Sequence, residues 1–216
     1  MSAARAAAAP APPTARGRID KRQAILSAAI EVFARDGYER AGVEAIAAEA
    51  GVAKPTIYNH LGGKENLYRA AMAEAAARSK TKVLAAVDGF PTTGEDLRAG
   101  LRTVARSLVD CHISPQGWAL SRLLYTEAAR FPEVYDEVQT EGGRQINEAL
   151  AGRLARLGNA GVLRVPDPVL AARHFMALIT GELAARTAMG TRELPEEELA
   201  GIIADGVETF LAAFGT

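Results

Sequence analysis

The sequence predicts an all-α protein in which a small three-helix unit precedes a larger helical part. Apolar residues recur at spacings of three and four through most of the chain, and glycine and proline separate the periodic stretches. No stretch shows sustained alternation of apolar and polar residues, which argues against a sheet. Hydrophobic residues are 49% of the 216, enough for the core of one large or two modest domains.

Residues 1–17 are predicted to be a disordered, basic tail, because alanine and proline dominate them and they offer little apolar surface to bury. The first helix is expected from Asp20, a suitable N-cap, to Asp36-Gly37, where a glycine can end it. Its buried stripe is formed by Ile25, Ala28, Ala29, Val32 and Phe33. Tyr38 is expected to pack in the connection that follows.

Two short helices are predicted next, at 43–50 and 54–61. Gly51 ends the first of them, and Pro55 suits the first turn of the second, where its missing N–H would have no partner. Ile57 and Leu61, four residues apart, give the second helix one buried side. Two short helices joined by a glycine-containing turn match a helix-turn-helix, whose second helix enters the DNA major groove.

A long fourth helix, at about 64–87, is predicted to join the two parts of the chain. Further helices are expected at about 95–112, 116–129, 132–157, 167–189 and 195–214. The domain division predicted is therefore a tail at 1–17, a helix-turn-helix DNA-binding domain at 18–64, and a helical ligand-binding and dimerisation domain at 65–216.

The region from Ile25 to Leu67 resembles the DNA-binding signature of TetR-family transcriptional regulators. The resemblance is carried by Ile46-Ala47, Ala50-Gly51-Val52, Thr56-Ile57-Tyr58, His60-Leu61 and Lys64-Glu65-Asn66-Leu67. Ala53 and Gly42 depart from the family pattern, which usually has capping serine or threonine there, and Leu61 stands where phenylalanine is commoner. The segment LLYTEAARFPEVYDEV more loosely resembles the C-terminal domain of the AefR-like subgroup.

This resemblance implies a division of roles along the second short helix. Tyr58 and His60 would contact phosphate oxygens, Lys54 and Thr56 the backbone or base edges, and Asn59 a base, with Pro55 in the first turn. Lys64 resembles the family's phosphate-binding lysine. Arg16 and Arg18 could belong to an arm that reaches a minor groove, although a mobile tail with incidental charges is as good an interpretation.

The distribution of charge agrees with a DNA-binding N-terminal part. Residues 1–82 contain 13 Lys and Arg against 8 Asp and Glu, a net charge of +5, whereas residues 83–216 contain 12 against 18, a net charge of −6. A positive surface attracts phosphate and an acidic one is repelled by it. The absence of a membrane-length apolar run or a secretory leader favours a cytoplasmic protein without membrane contact.

The residues needed for catalysis or metal binding are sparse, so neither an enzyme, a metal site nor a cofactor is expected. The three histidines fall in different predicted helices, and Gly62-Gly63-Lys64 lacks the other residues of a phosphate loop. Cys111, the single cysteine, is interpreted as a core residue, because its side chain would diverge from that of His112 around a helix.

The C-terminal part is expected to contain a binding site for a small apolar effector and a dimer interface. For any single residue, ordinary core packing is the stronger alternative. The predicted cavity residues are His112, Trp118, Arg122, Tyr125, Phe131, His174 and Phe175. The predicted interface residues are Leu178, Leu183, Leu199, Ile203, Val207, Phe210 and Phe214, although the last two helices could instead cap the monomer core.

The sequence is therefore interpreted as that of a ligand-responsive regulator, most simply a repressor, that binds palindromic double-stranded operator DNA as a homodimer. The alternative is an all-α enzyme or small-molecule carrier whose basic N-terminus is incidental.

Overall fold

The fold is all-α, as predicted, over residues 15–216, the part of the chain that the computed structural model describes. The helices are α1 (Ala15–Arg40), α2 (Val43–Glu49), α3 (Lys54–Leu61), α4 (Lys64–Asp88), α5 (Leu97–Ile113), α6 (Pro115–Thr126), α7 (Pro132–Tyr135), α8 (Gly143–Asn159), α9 (Pro168–Thr180), α10 (Leu183–Arg186) and α11 (Glu196–Phe214). Between α7 and α8 the chain is π-helical, from Asp136 to Gly142, and this segment is called the π segment below. None of these helices is long and apolar enough to cross a membrane.

The first helix begins earlier than the sequence predicts. It starts at Ala15, so the prediction of disorder is wrong for residues 15–17, and the boundary placed at residue 18 falls inside a helix. Alanine and arginine are strong helix formers, and the last proline of the tail is Pro13. The rest of the predicted tail, residues 1–14, lies outside the described residues. At the other end, Gly37 has φ 77° and interrupts the helix at the predicted place.

The helix-turn-helix has the predicted boundaries because glycines stand where the backbone turns left-handed. Gly51 (φ 64°) follows α2, and Gly62 (φ 77°) caps the C-terminus of α3. At the N-termini, neither Gly42 nor Ala53 makes a side-chain capping hydrogen bond. The turn between α2 and α3 therefore depends on glycine conformations and packing.

Two of the predicted C-terminal helices are interrupted. The helix expected at 132–157 is divided by the π segment, which ends at the pair Gly142-Gly143, and glycine weakens regular helix. The helix expected at 167–189 is divided after Thr180, and the chain leaves α10 through Ala188, Met189 and Gly190, all with positive φ.

Two apolar cores hold the molecule together, and the long helix α4 contributes to both. Leu67, Tyr68, Ala71 and Met72 lie in the core built around α1 to α3, whereas Val87 lies in the core of the C-terminal helices. The N-terminal core also takes in side chains from α6, α7 and the loop between them, namely Ala119, Leu120, Leu123, Leu124, Phe131 and Val134. The boundary predicted at 64/65 is therefore not a boundary in packing.

Candidate nucleic-acid interface and internal cavity

Helix α3 presents one face to solvent and holds the other against the N-terminal core. Ile57 is completely buried and Leu61 is partly buried. On the outer side, Tyr58 is 44% exposed, unusually high for a tyrosine. The other predicted contact residues on this helix are exposed or, for Thr56, partly exposed: Lys54, Pro55, Thr56, Asn59 and His60. All six residues of α3 that were predicted to contact DNA are therefore at least partly exposed to solvent.

Lys54 is already engaged by its own chain. Its ammonium forms an ion pair with Glu44 of α2 and lies 5.7 Å from the centre of the Tyr58 ring. The hydrogen bond between the two side chains raises the pKa of Lys54 and lowers the pKa of Glu44. Glu44, which the sequence did not single out, therefore fixes the lysine beside Tyr58.

Lys64, at the start of α4, is held against the C-terminal end of α1, beyond the break at Gly37. Its Nζ donates a hydrogen bond of 2.9 Å to the main-chain oxygen of Glu39 and lies 4.7 Å from the Tyr38 ring centre. Tyr38 packs in the connection after the first helix, as predicted, but its contact with Lys64 was missed. Arg16 and Arg18 have helical backbone in α1; their side chains lie outside the described part of the chain, and a minor-groove contact for them stays a prediction.

A partly open cavity of 1030 Å³ lies among α4, α5, α6, the π segment, α8 and α9. Three of the predicted residues, His112, Trp118 and Tyr125, line it. The His112 and Trp118 rings meet edge to face at 5.1 Å, and burial lowers the pKa of His112, which favours its neutral form. The Tyr125 hydroxyl accepts a hydrogen bond of 3.2 Å from Gln139 of the π segment.

The other four predicted cavity residues lie elsewhere. Phe131 and Phe175 are buried in the N-terminal and C-terminal cores, where each packs against other aromatic rings. Arg122 donates a hydrogen bond of 2.9 Å to the Met189 carbonyl, and His174 is exposed near Phe214. Bulky apolar residues suit a core and a cavity equally well, so the sequence could not separate the two.

The cavity-lining residues that were not predicted from the sequence include several from the π segment. Val138 lines the cavity on the apolar side, with Met176 and Met189. Charged side chains also line it: Lys80, Glu137, Glu141, Arg144 and Arg173. The Gly142-Gly143 pair could have indicated an irregular helix here. The arrangement is that of a mostly apolar site with a few polar groups, which suits a small molecule.

Gly190 packs directly against Trp118, one of the cavity-lining residues. A Cβ atom at Gly190 would lie 2.2 Å from Cγ of Trp118, and the glycine has φ +82°. We expect Gly190→Ala to lower the free energy of unfolding by about 2–4 kcal/mol, because it combines a steric clash with an unfavourable backbone conformation. Urea denaturation followed by circular dichroism would measure this, with Gly152→Ala, in open space on α8, as the control.

The predicted interface residues are mostly inside the monomer. Leu183, Leu199, Ile203, Val207 and Phe210 are buried in the C-terminal core, whereas Leu178 and Phe214 are partly buried. These five side chains pack within their own chain, which favours the alternative that the last helices cap the monomer core; the subunit contact itself stays a prediction. The outward faces of α9 and α11 instead carry small exposed residues: Ala177, Gly181, Gly201 and Ala212.

Within residues 15–216 there is no cluster of three His, Cys, Asp or Glu side chains that could hold a metal ion. Burial raises the pKa of the Cys111 thiol, which keeps it protonated and weakly nucleophilic. The functional features of the described chain are thus an exposed helix-turn-helix and a cavity, and α4, which begins at Lys64, lines that cavity.

Comparison with known proteins shows which family combines such a helix-turn-helix with a helical C-terminal domain. Residues 25–71 match the model for bacterial regulatory proteins of the tetR family, and residues 99–216 match the C-terminal domain of AefR-like transcriptional repressors. The chain belongs to the TetR family. TetR-family proteins are transcriptional regulators, so the enzyme or carrier alternative is set aside.

Similar proteins extend over most of the chain. The transcriptional repressor AcnR of Corynebacterium diphtheriae is 28% identical over 170 residues, 79% of this chain and 82% of that protein. A TetR-family regulator from Mesorhizobium loti has a crystal structure that superposes with a TM-score of 0.82 at 26% identity, covering 92% of this chain and 98% of the other. The flavonoid-responsive regulator FrrA superposes with a TM-score of 0.64 at 28% identity, covering 90% and 97%.

Proposed function

We propose that this TetR-family protein is a homodimeric repressor that binds palindromic operator DNA through α3 and the start of α4. A small, mostly apolar effector in the cavity would release it. The observation that carries the proposal is the accessible face of α3, where Tyr58 is exposed beside a lysine fixed by an ion pair, in a chain of this family. Such a protein would work in the cytoplasm, where the chromosome is.

On DNA, Tyr58, His60 and Lys64 are assigned to phosphate oxygens, and Asn59 to a base edge. Lys54 and Thr56 reach the backbone or the edge of a base. Lys54 would exchange its ion pair with Glu44 for phosphate; both side chains are exposed, so this exchange costs little. Arg16 and Arg18 are assigned to a neighbouring minor groove, the contact considered from the sequence.

The effector site is assigned to the 1030 Å³ cavity, which is large enough for a drug-sized molecule. Trp118 and neutral His112 would contact an apolar or aromatic body, while Tyr125 and the charged side chains would bind polar substituents. A similar protein, FrrA, is described as flavonoid-responsive, which supports a search among planar aromatic compounds.

Helix α4 would carry the response, because it begins at Lys64 and lines the cavity with Ala76, Lys80 and Val83. A shift of α4 changes where Lys64 and α3 stand relative to the DNA. In a dimer, both recognition helices must fit major grooves on one side of the duplex, so a small change in their separation weakens both contacts.

We expect effector and DNA to bind antagonistically, with a coupling of about 1–3 kcal/mol, or roughly 5- to 150-fold in each affinity. Trp118, the only tryptophan, is 5% exposed and lines the cavity, so its fluorescence should report binding. Flavonoids and other apolar compounds would be screened in this way, and each hit titrated with and without a duplex obtained by in vitro selection. Equal affinities in the two titrations would show that the cavity binds compounds without controlling DNA binding.

The selection itself tests the DNA-binding half of the proposal. A selected consensus with two inverted half-sites, and binding that falls steeply with salt, is the expected result. Failure to enrich any sequence, with no salt-dependent affinity for duplex DNA, would contradict it.

A further inference from the structure

A cluster of three aromatic rings packs next to Lys64, whose Nζ lies 4.7 Å from the centre of the Tyr38 ring. Tyr38 meets Phe131 edge to face at 4.9 Å, and Phe131 stacks on Tyr68 at 4.5 Å. Phe131 comes from the loop between α6 and α7, whereas Tyr38 lies at the C-terminal end of α1, just after the break at Gly37, and Tyr68 lies on α4. All three rings are buried in the N-terminal core, so the DNA-binding helices pack directly on the α6–α7 loop.

The residue before Phe131 brings a second cation to the site of Lys64. The guanidinium of Arg130 lies 5.0 Å from the Tyr38 ring centre and forms an ion pair with the Glu39 carboxylate. Lys64 lies 4.7 Å from the same ring and donates to the main-chain oxygen of the same glutamate. Arg130 thus binds the carboxylate of the residue whose carbonyl holds Lys64.

We propose that Arg130 is a positioning residue for Lys64 and the point at which the state of the cavity reaches the DNA contact. With Arg130 in place, the Glu39 carboxylate is occupied, and the Lys64 ammonium, which donates one hydrogen bond to the Glu39 carbonyl, keeps N–H donors for a phosphate. When Arg130 moves away, the carboxylate is left beside Lys64, where it can pair with the ammonium and repel the phosphates. Within residues 15–216 the Lys64 ammonium forms no ion pair with a carboxylate. The neighbouring carboxylate of Glu65 is paired with Arg69.

A short, continuous stretch of chain links Arg130 to the wall of the cavity. From Phe131 the chain enters α7, whose Val134 is buried in the same core, and then the π segment. Val138 of the π segment packs against this core and also lines the cavity. An effector that displaces the π segment therefore moves the segment that carries Arg130. This inference rests on the proposed function for its effector, but the role of Arg130 can be tested on DNA alone.

The test is a double-mutant cycle between Arg130 and Glu39, measured by fluorescence anisotropy with the duplex from in vitro selection. Arg130→Ala should weaken DNA binding about 2- to 5-fold, the size expected for an exposed ion pair, because it frees the Glu39 carboxylate. In the Glu39→Gln background the same substitution should have a much smaller effect, because only Glu127, whose carboxylate lies 3.8 Å from Arg130 Nε, then loses a partner. Arg130→Lys, which keeps the charge, should retain most of the wild-type affinity.

The matched control is Arg153→Ala, which breaks an exposed ion pair with Asp88 at the far end of α4. It should leave DNA affinity unchanged. Equal losses from Arg130→Ala in the wild-type and Glu39→Gln backgrounds would overturn the proposal, since they would mean that Arg130 acts only through its own charge. If neither the wild type nor Glu39→Gln bound DNA, the proposed function would fail instead.

The cavity half of the proposal is tested with Val138→Trp, whose indole mimics an occupied cavity without requiring an identified effector. The substitution should weaken DNA binding when Glu39 is present and much less in the Glu39→Gln background. A loss of the same size in both backgrounds would show that the cavity acts through α4 alone and would overturn this step. Circular dichroism and thermal melting would identify a misfolded variant, and the Arg130 cycle stands independently of it.

Discussion

Tyr58→Ala and Lys64→Ala are each expected to weaken binding to every duplex by about 10- to 100-fold, because each removes one phosphate contact from both subunits of a dimer. The loss of two charged contacts per dimer in Lys64→Ala should also reduce the slope of log affinity against log salt by about 2. Tyr58 is exposed and Lys64 is partly exposed with a single hydrogen bond to a main-chain oxygen, so neither substitution should unfold the chain. Anisotropy titrations at several salt concentrations would measure both effects.

Two substitutions on the same helix serve as matched controls. Tyr58→Phe keeps the ring against which Lys54 lies and removes only the hydroxyl, so it separates phosphate hydrogen bonding from packing. Asn59→Ala should change the preferred sequence more than the overall affinity, if Asn59 reads a base. Wild-type affinity in both Tyr58→Ala and Lys64→Ala would place the DNA surface somewhere other than α3 and α4.

The helix-turn-helix could be predicted closely because its boundaries depend on local chemistry. Gly37, Gly51 and Gly62 all have the positive φ that ends a helix, and this preference is visible in the sequence without any knowledge of the rest of the fold. Ile57 was predicted to be buried for the same kind of reason, since only one apolar stripe is available on so short a helix.

The cavity could be predicted only in part, because its walls depend on how distant helices meet. Phe131 and Trp118 look alike in sequence, yet one fills a core beside Tyr38 and the other lines the cavity. The irregular geometry of the π segment, which sets the position of Val138, has only the Gly142-Gly143 pair as a sequence signal. Arg130 and Lys64 are 66 positions apart, so their common contact with Tyr38 and Glu39 follows from the fold alone.

The dimer surface shows a second limit of what the spacing of apolar residues can predict. The apolar stripe of α11 correctly identified a buried face, but periodicity does not tell whether that face packs on its own chain or on another. Ile203 is 5% exposed and Phe210 is completely buried within the monomer. Aspartate at these two positions would unfold the chain and therefore would not test association.

The largest effect on DNA binding is expected from a variant that carries arginine on the outward faces of α9 and α11. Ala177 and Gly201 are exposed there, and a Cβ atom at Gly201 would meet no other atom within 4 Å, so the monomer can accommodate the arginines. In a four-helix bundle, small residues at these positions would let the helices approach closely, and four arginines would separate them. Because two linked half-sites gain about 10²- to 10⁴-fold in affinity, Ala177→Arg plus Gly201→Arg should weaken operator binding by about 100-fold or more.

Light scattering decides whether the loss comes from dissociation. The wild type should have twice the chain mass of 22.8 kDa at micromolar concentration, and the double arginine variant should have the mass of one chain with an unchanged circular dichroism spectrum. Gly152→Lys, at an exposed and unobstructed position of α8, is the matched control and should leave both mass and DNA affinity unaltered. A double arginine variant that remained dimeric and bound the operator normally would show that the subunits meet through another surface, since four desolvated arginines could not remain in a closely packed bundle.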